Sequence, residues 1–120
     1  MKVIRKDEGE VYQGITFTNK TELNRLLQAQ QVGGISLSIV TFEDGALTHW
    51  HKHPGEQILY ILAGEGRAGN ESETISVSAG DVVYTGPDEK HWHGATLGRS
   101  MTHISITTVG SPIWYDEAPE

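Results

Sequence analysis

Cysteine is absent from the 120 residues. Its absence excludes disulfides, thiolate metal ligands and cysteine nucleophiles, and suits a reducing cytoplasm. No apolar run approaches the length of a membrane span. The start, Met1-Lys2-Val3-Ile4-Arg5-Lys6-Asp7-Glu8, holds no apolar stretch of the kind a signal peptide needs. The expectation is a cytoplasmic protein without a membrane partner. Positive charge is also scarce: nine Lys and Arg stand against sixteen Asp and Glu, for a net charge of -7. A general nucleic-acid binder needs a basic patch, so none is expected here, and a small molecule is the expected partner.

Alternation of strand and helix signals is missing too, which argues against a doubly wound parallel sheet. What is present reads β from Ile35 onward. Ile35-Ser36-Leu37-Ser38-Ile39 alternates apolar and polar, and Glu43-Asp44-Gly45 is a turn. Leu47 to His53 reads as a strand. Gln57 to Leu62 is apolar on both parities, so both of its faces are expected to be covered. Ala63-Gly64-Glu65-Gly66 reads as a turn, and short strands follow at Thr74–Val77, Val82–Tyr84 and Met101–Val109. Turn signals every 8–12 residues or so point to a sandwich or barrel. Earlier, Val11 to Thr18 alternates as a strand does. Thr21 to Gln31 reads equally as a short helix, from Leu23, Leu26 and Leu27, or as a strand with a loop. One domain over 1–120 is expected, with a barrel core at about 35–109, an N-terminal arm at 1–34 and a tail at 110–120. The tail, with Trp114 and Tyr115, is amphipathic enough to pack on the barrel or on a partner.

Histidine is concentrated. All six lie at or after His49. His49, His51 and His53 alternate in Thr48-His49-Trp50-His51-Lys52-His53-Pro54-Gly55-Glu56-Gln57, so a strand would point all three one way. Gln57 keeps that parity if the strand resumes in register after Pro54-Gly55. Neutral imidazole is the commonest side-chain metal ligand, and a metal site inside a small β-barrel is the reading. A second block, Gly80-Asp81-Val82-Val83-Tyr84-Thr85-Gly86-Pro87-Asp88-Glu89-Lys90-His91-Trp92-His93, carries two more histidines. Trp50 and Trp92 take the opposite parity and are expected to pack between sheets. Glu89 and Lys90 read as solvated turn residues, Asp81 as a local turn stabiliser, and Gly45, Gly64 and Gly80 as positive-φ positions.

The two blocks together resemble the cupin superfamily. Gly45, His51, His53 and Gly64 fit its first motif, with Gln57 where a Glu normally stands, and Gly80, Pro87 and His91 fit its second. The resemblance implies an all-β cupin (double-stranded β-helix, or jelly-roll) barrel. Trp50-His51-Lys52-His53-Pro54, Gln57, Glu89-Lys90-His91-Trp92-His93-Gly94-Ala95-Thr96 and Met101-Thr102-His103 are similar to one branch of small cupins. That branch includes carboxymuconolactone decarboxylase-associated proteins and manganese-dependent bacterial hydroxynitrile lyases.

The resemblance implies that His51, His53, Gln57 and His91 ligate a divalent transition metal, Mn foremost, with Fe, Ni, Co or Zn as alternatives. It implies that His93 and His103 line the substrate pocket, with His103 as the general base. Three imidazoles and an amide oxygen leave up to two octahedral positions open, and open positions mean chemistry. Glu56 is the rival to Gln57 if Pro54-Gly55 kinks the strand. His49 matches no motif position and is expected at the pocket edge or in solvent. The implied function is a metal-dependent lyase-type enzyme. The alternatives are an Fe(II) dioxygenase, a decarboxylase or isomerase of a ring-cleavage product, and a ligand-binding cupin without turnover. A homodimer that covers exposed sheet edges is also implied.

Overall fold

In the computed structural model, which describes residues 1–119, ten strands follow one another with no helix among the described residues. They are β1 (Glu10–Gln13), β2 (Thr21–Leu27), β3 (Ile35–Phe42), β4 (His51–Lys52), β5 (Gln57–Asn70), β6 (Thr74–Ser78), β7 (Val82–Thr85), β8 (His91–Ala95), β9 (Met101–Thr108) and β10 (Ile113–Trp114). Every named pair is antiparallel. The curled sheet runs β1-β2-β3-β9-β5-β8-β4-β10, with β6 and β7 also paired to β5.

The long strand β5 joins the two halves. From Gln57 to Gly64 it pairs with β9, and with β7 as far as Tyr60. Its second half, to Asn70, pairs with β6 and β8. The expected turn at Ala63-Gly64-Glu65-Gly66 is therefore a corner within one continuous strand. Gly64 has φ of +82°, and a Cβ there would lie 2.0 Å from the Ser100 carbonyl oxygen. Only glycine combines that dihedral with so close a neighbour, and the register with β9 shifts between Ile61 and Ala63. Gly45 and Gly80 also have positive φ, at +73° and +94°. Asp81 accepts a hydrogen bond from the Ser78 amide, 2.8 Å, and so closes its turn.

The segment that read equally as helix or strand is strand β2. Its register with β3 slips between Arg25 and Leu27, leaving Leu26 as an extra residue. A bulge of this kind turns strand alternation into a spacing that mimics a helix. The Val11–Thr18 strand is shorter than expected: β1 stops at Gln13, and Phe17 joins by a lone bridge to Thr48. The histidine strand is also broken. Leu47 bridges Gly94, the Thr48 amide donates to the His93 carbonyl, and the Trp50 amide donates to the Glu117 carbonyl. Its backbone is shared among several neighbours, so only His51-Lys52 forms a ladder.

The apolar core sits at one end, where Val40, Phe42, Ala46, Ile61, Ala95 and Met101 pack together with Phe17 against them. Beyond it the faces invert. On β3 the inward parity carries Ser36, Ser38, Val40 and Phe42, so Ile35, Leu37 and Ile39 point out. On β9, Met101 and His103 point in, while the alternate residues Ile104 and Ile106 are only partly buried. The expectation that both faces of Gln57–Leu62 are covered does not hold within one chain. Gln57, Leu59 and Ile61 are buried, but Ile58, Tyr60 and Leu62 are each more than 40% exposed. The tail packs back on the barrel: β10 pairs with β4, and the Tyr115 amide donates to the Trp50 carbonyl. Trp92 is buried, whereas Trp50 is half-buried beneath Lys90, whose Nζ lies 5.2 Å from its ring and 4.6 Å from that of Tyr115. Lys90 is thus a clasp for the tail, and Glu89 is tied down by Asn70 Nδ2 at 2.9 Å.

The corner at Gly64 can be tested directly. Gly64→Ala should destabilise the protein by about 3–4 kcal/mol, combining dihedral strain with a steric clash. Gly33→Ala, with φ of +79° but open space around it, should cost only the dihedral penalty of about 1–2 kcal/mol. Chemical denaturation of the two variants measures the difference; equal losses would remove the steric part of the argument.

Candidate metal centre

The two histidine blocks meet because β4 and β8 are antiparallel neighbours, with His51 directly opposite His91. Period-two alternation then carries His53 and His93 to the same interior. Gln57 enters from the start of β5 and His103 from β9, where it pairs with Val40 on one side and Ile61 on the other. The site therefore lies between the two halves of the curled sheet, and His51, His53, Gln57, His91, His93 and His103 are all buried.

Two ligand candidates are oriented in the same way. His51 Nδ1 donates to the His49 carbonyl oxygen at 2.9 Å, and His91 Nδ1 donates to the Glu89 carbonyl oxygen at 2.7 Å. In each case the carbonyl two residues earlier fixes the tautomer and leaves Nε2 with a free lone pair. For His91 this lone pair faces Gln57 Oε1 at 3.0 Å. The Gln57 amide is turned that way because its Nε2 donates to Ser105 Oγ at 2.9 Å. Two acceptors thus face each other without a proton between them. With metal–ligand bonds of about 2.1 Å, adjacent ligands at right angles stand about 3.0 Å apart.

His53 has neither ring nitrogen hydrogen-bonded, although both are buried. A buried polar atom left unpaired costs about 1–3 kcal/mol, so this ring calls for a partner of another kind. Its centroid is 5.1 Å from that of His51 and 5.5 Å from that of His91, while His51 and His91 are 4.2 Å apart. Imidazoles sharing one ion at right angles would have centroids about 4.6 Å apart, given the same bond length. The His51–His91 spacing fits a shared cation, whereas the His53 ring stands farther from both than shared ligation requires.

Among the described residues, the one group of three or more such side chains whose ligand atoms all lie within reach of one ion differs from the expected set, and His53 is not in it. Ring nitrogens of His51, His91 and His93 all lie within 4.8 Å of one another, a group able to hold a metal ion. His93, expected as a pocket residue, thus stands at ligand range as well as in the pocket. Its Nδ1 is 3.1 Å from His103 Nε2, and one proton must lie between them. The outer nitrogens, His93 Nε2 and His103 Nδ1, are buried without partners. If His93 donates, its Nε2 keeps a lone pair; if His103 donates, it does not.

Glu56, the rival to Gln57, is exposed and accepts a hydrogen bond from the Tyr84 hydroxyl, away from the histidines. His49 is half-buried, does not line the cleft, and contributes its carbonyl. Three contributors were not foreseen. Thr48 Oγ1 accepts from the His93 amide at 3.1 Å, Ser105 orients Gln57, and the Trp114 ring lies 4.4 Å from that of His51. The amphipathic tail was the only sequence signal for Trp114.

Burial dominates the electrostatics. It depresses His51 well below its ordinary value, with His91 adding to the effect, and lowers His53 to about 4. His91 is lowered against the opposing pull of the Glu89 carbonyl. His93 is strongly lowered by burial and then by His103, and burial takes His103 to about 3. All five rings are neutral near pH 7, so their lone pairs are available to a cation.

The centre forms part of the lining of an open cleft of about 940 Å³, with His103 and Val40 inside and Tyr12 and Arg25 on the β1–β2 side. A cupin domain model matches residues 38–106, more than half the chain, and the protein belongs to the cupin family. An (R)-mandelonitrile lyase from Granulicella tundricola is 43% identical over 91 residues, covering 75% of this chain and 70% of that protein. An oxalate-binding protein from Thermotoga maritima is 42% identical over 48 residues, covering 39% of this chain and 40% of its own. Among solved structures, a cupin-like protein from Thermotoga maritima matches with a TM-score of 0.84 at 33% identity, over 93% of this chain and 88% of that one.

The depressed histidines make the metal-free protein sensitive to acid. An unfolded histidine takes up a proton near 6.5, whereas folded His53 and His103 resist it down to about 4 and about 3. The unfolded state then binds more protons below pH 6.5, so stability is full above that value and is lost as pH falls toward the folded values. Each such group costs up to about 1.4 kcal/mol per pH unit in that window. Melting temperatures after EDTA treatment should fall from pH 7 to pH 5, and fall less steeply in His103→Asn. A flat profile would contradict the assignment of neutral buried rings.

Proposed function

We propose that this cupin is a metal-dependent enzyme of the lyase type, acting on a small hydroxy compound in the manner of a hydroxynitrile lyase. His51, His53, Gln57 and His91 hold a divalent transition metal in this reading, with Mn foremost and Fe, Ni, Co or Zn as alternatives. The observation that carries it is the pair of facing acceptors, His91 Nε2 and Gln57 Oε1, 3.0 Å apart. The likeness to the mandelonitrile lyase supports the reaction class. All four ligands are neutral, so a bound ion keeps its full charge and supplies Lewis acidity to a substrate oxygen.

His103 takes the hydroxyl proton as the carbon–cyanide bond breaks. The oxygen's electron pair forms the carbonyl, and the bond pair leaves on cyanide. A base that binds protons as weakly as His103, with its value of about 3, needs an acidified hydroxyl. The proton goes to His103 Nδ1, because Nε2–H already donates to His93 Nδ1 at 3.1 Å, and that bond stabilises the resulting imidazolium. Phe42, whose ring is 5.2 Å from that of His103 and 5.9 Å from that of His93, keeps water from the inner side of this pair. A second reading, ligand binding without turnover, is favoured by the oxalate-binding relative; it predicts metal-dependent affinity and no product.

A homodimer belongs to the same reading. Exposed Ile58 and Tyr60 on β5 stand beside exposed Tyr84 and Val82 on β7, with Ile58 opposite Tyr84 and Tyr60 opposite Val82. A second copy would cover this apolar face.

Elemental analysis and cyanohydrin cleavage test the proposal together. His53→Ala should lose the ion and show a lower melting temperature, since binding energy and folding energy are linked. His103→Ala should retain the ion and lose about 10²–10⁴-fold in kcat. Loss of metal in His103→Ala, or full metal content in His53→Ala, would overturn the division of roles.

A further inference from the structure

We propose that Arg25 binds a carboxylate carried by the substrate at the end remote from the reacting oxygen, so that the cleft selects small anionic compounds. This deepens the functional reading above and rests on the cleft being a substrate site.

The strand register places Arg25 on the interior row that leads to the centre. Arg25 pairs with Ser38, and Ser38 pairs with Ser105, which holds the Gln57 amide. All three line the same cleft. Neighbouring strands are about 4.8 Å apart, so the Arg25 and Ser105 backbones are separated by about 10 Å. A small molecule with an oxygen at the centre and a charge at its far end can bridge that span.

The charge of the lining is selective. Among the described residues no acidic side chain lines the cleft, and neither does any lysine. Arg25 is the one lining side chain that is charged independently of pH in the working range. A chain of net charge -7 thus places a guanidinium on this surface, with Glu10, its partner across the β1–β2 ladder, as the nearby acid. Such a cleft concentrates anions through its local field.

The guanidinium is positioned without being neutralised. Nη2 donates to the Tyr12 hydroxyl at 2.9 Å, and the guanidinium carbon is 5.3 Å from the centre of the Tyr12 ring. Its ionic partner, Glu10, is 3.7 Å from Nη1 and has a side chain 71% exposed. So loose and solvated a pair contributes little. The Arg25 side chain is itself 35% exposed, so donors remain free on a group whose geometry suits bidentate carboxylate binding. The bland alternative is that Arg25 merely clasps β1 to β2. A clasp gives no preference for the charge of a ligand, and that difference decides between the two.

Isothermal titration of the protein with its resident metal provides the test. The probes are para-hydroxymethylbenzoate and para-hydroxymethylphenylpropanoate, each compared with its primary amide. At least one acid should bind about tenfold or more tightly than its amide, the gain expected from charge-assisted hydrogen bonds. Arg25→Met, its fold checked by circular dichroism, should bring that ratio to about one; Arg25→Lys should retain part of it. Acid and amide binding equally at both lengths, or an unchanged ratio in Arg25→Met, would overturn the proposal. Repeating the titration after EDTA separates the two readings. Unchanged amide affinity there would count against the metal site, while an Arg25-dependent preference for the acid would still support the carboxylate site.

Discussion

The structure depends on lone pairs that converge with no proton between them. His91 Nε2 and Gln57 Oε1 are held face to face by bonds made elsewhere, to the Glu89 carbonyl and the Ser105 hydroxyl. His53 is buried among them without a hydrogen bond of its own. In a low-dielectric interior such an arrangement is unfavourable by itself, and a bound cation would make it favourable. The barrel is shaped to hold these groups in place. β4 sets His51 against His91, β5 delivers Gln57 from the opposite half, and β10 closes over His51 with Trp114.

This requirement divides the interior. One end is an ordinary apolar core around Phe42, Ile61 and Met101. The other end is lined by serines and histidines, and Ile35, Leu37 and Ile39 of β3 are displaced to the outside. Phe42 marks the boundary: it packs on Phe17 on one side and on His93 and His103 on the other.

Much of the site was legible in the sequence. Alternate histidines on a strand and a second histidine block signalled a site, the cupin resemblance singled out His51, His53, Gln57 and His91, and all four are buried together. Parity favoured Gln57 over Glu56, but a kink at Pro54-Gly55 could have reversed the choice, and only the structure puts Gln57 inside and Glu56 outside. The apolar/polar alternation of β3 showed a strand but not which face points inward, because a functional interior reverses the usual rule. The leucines of β2 mimicked a helix because a bulge adds one residue. Gly64 looked like a turn because the same positive φ serves a strand corner. The closeness of His93 to His51 and His91, and the arrival of Trp114 beside His51, depend on contacts between distant segments that no local pattern encodes.

Anomalous X-ray scattering from crystals of the purified protein, recorded at the absorption edge of the metal that it carries, tests the central claim most directly. The account predicts a single strong peak bonded to His51 Nε2, His91 Nε2, Gln57 Oε1 and one ring nitrogen of His53. A peak on His51, His91 and His93 that leaves Gln57 and His53 unbound would contradict it, as would the absence of any peak among these side chains.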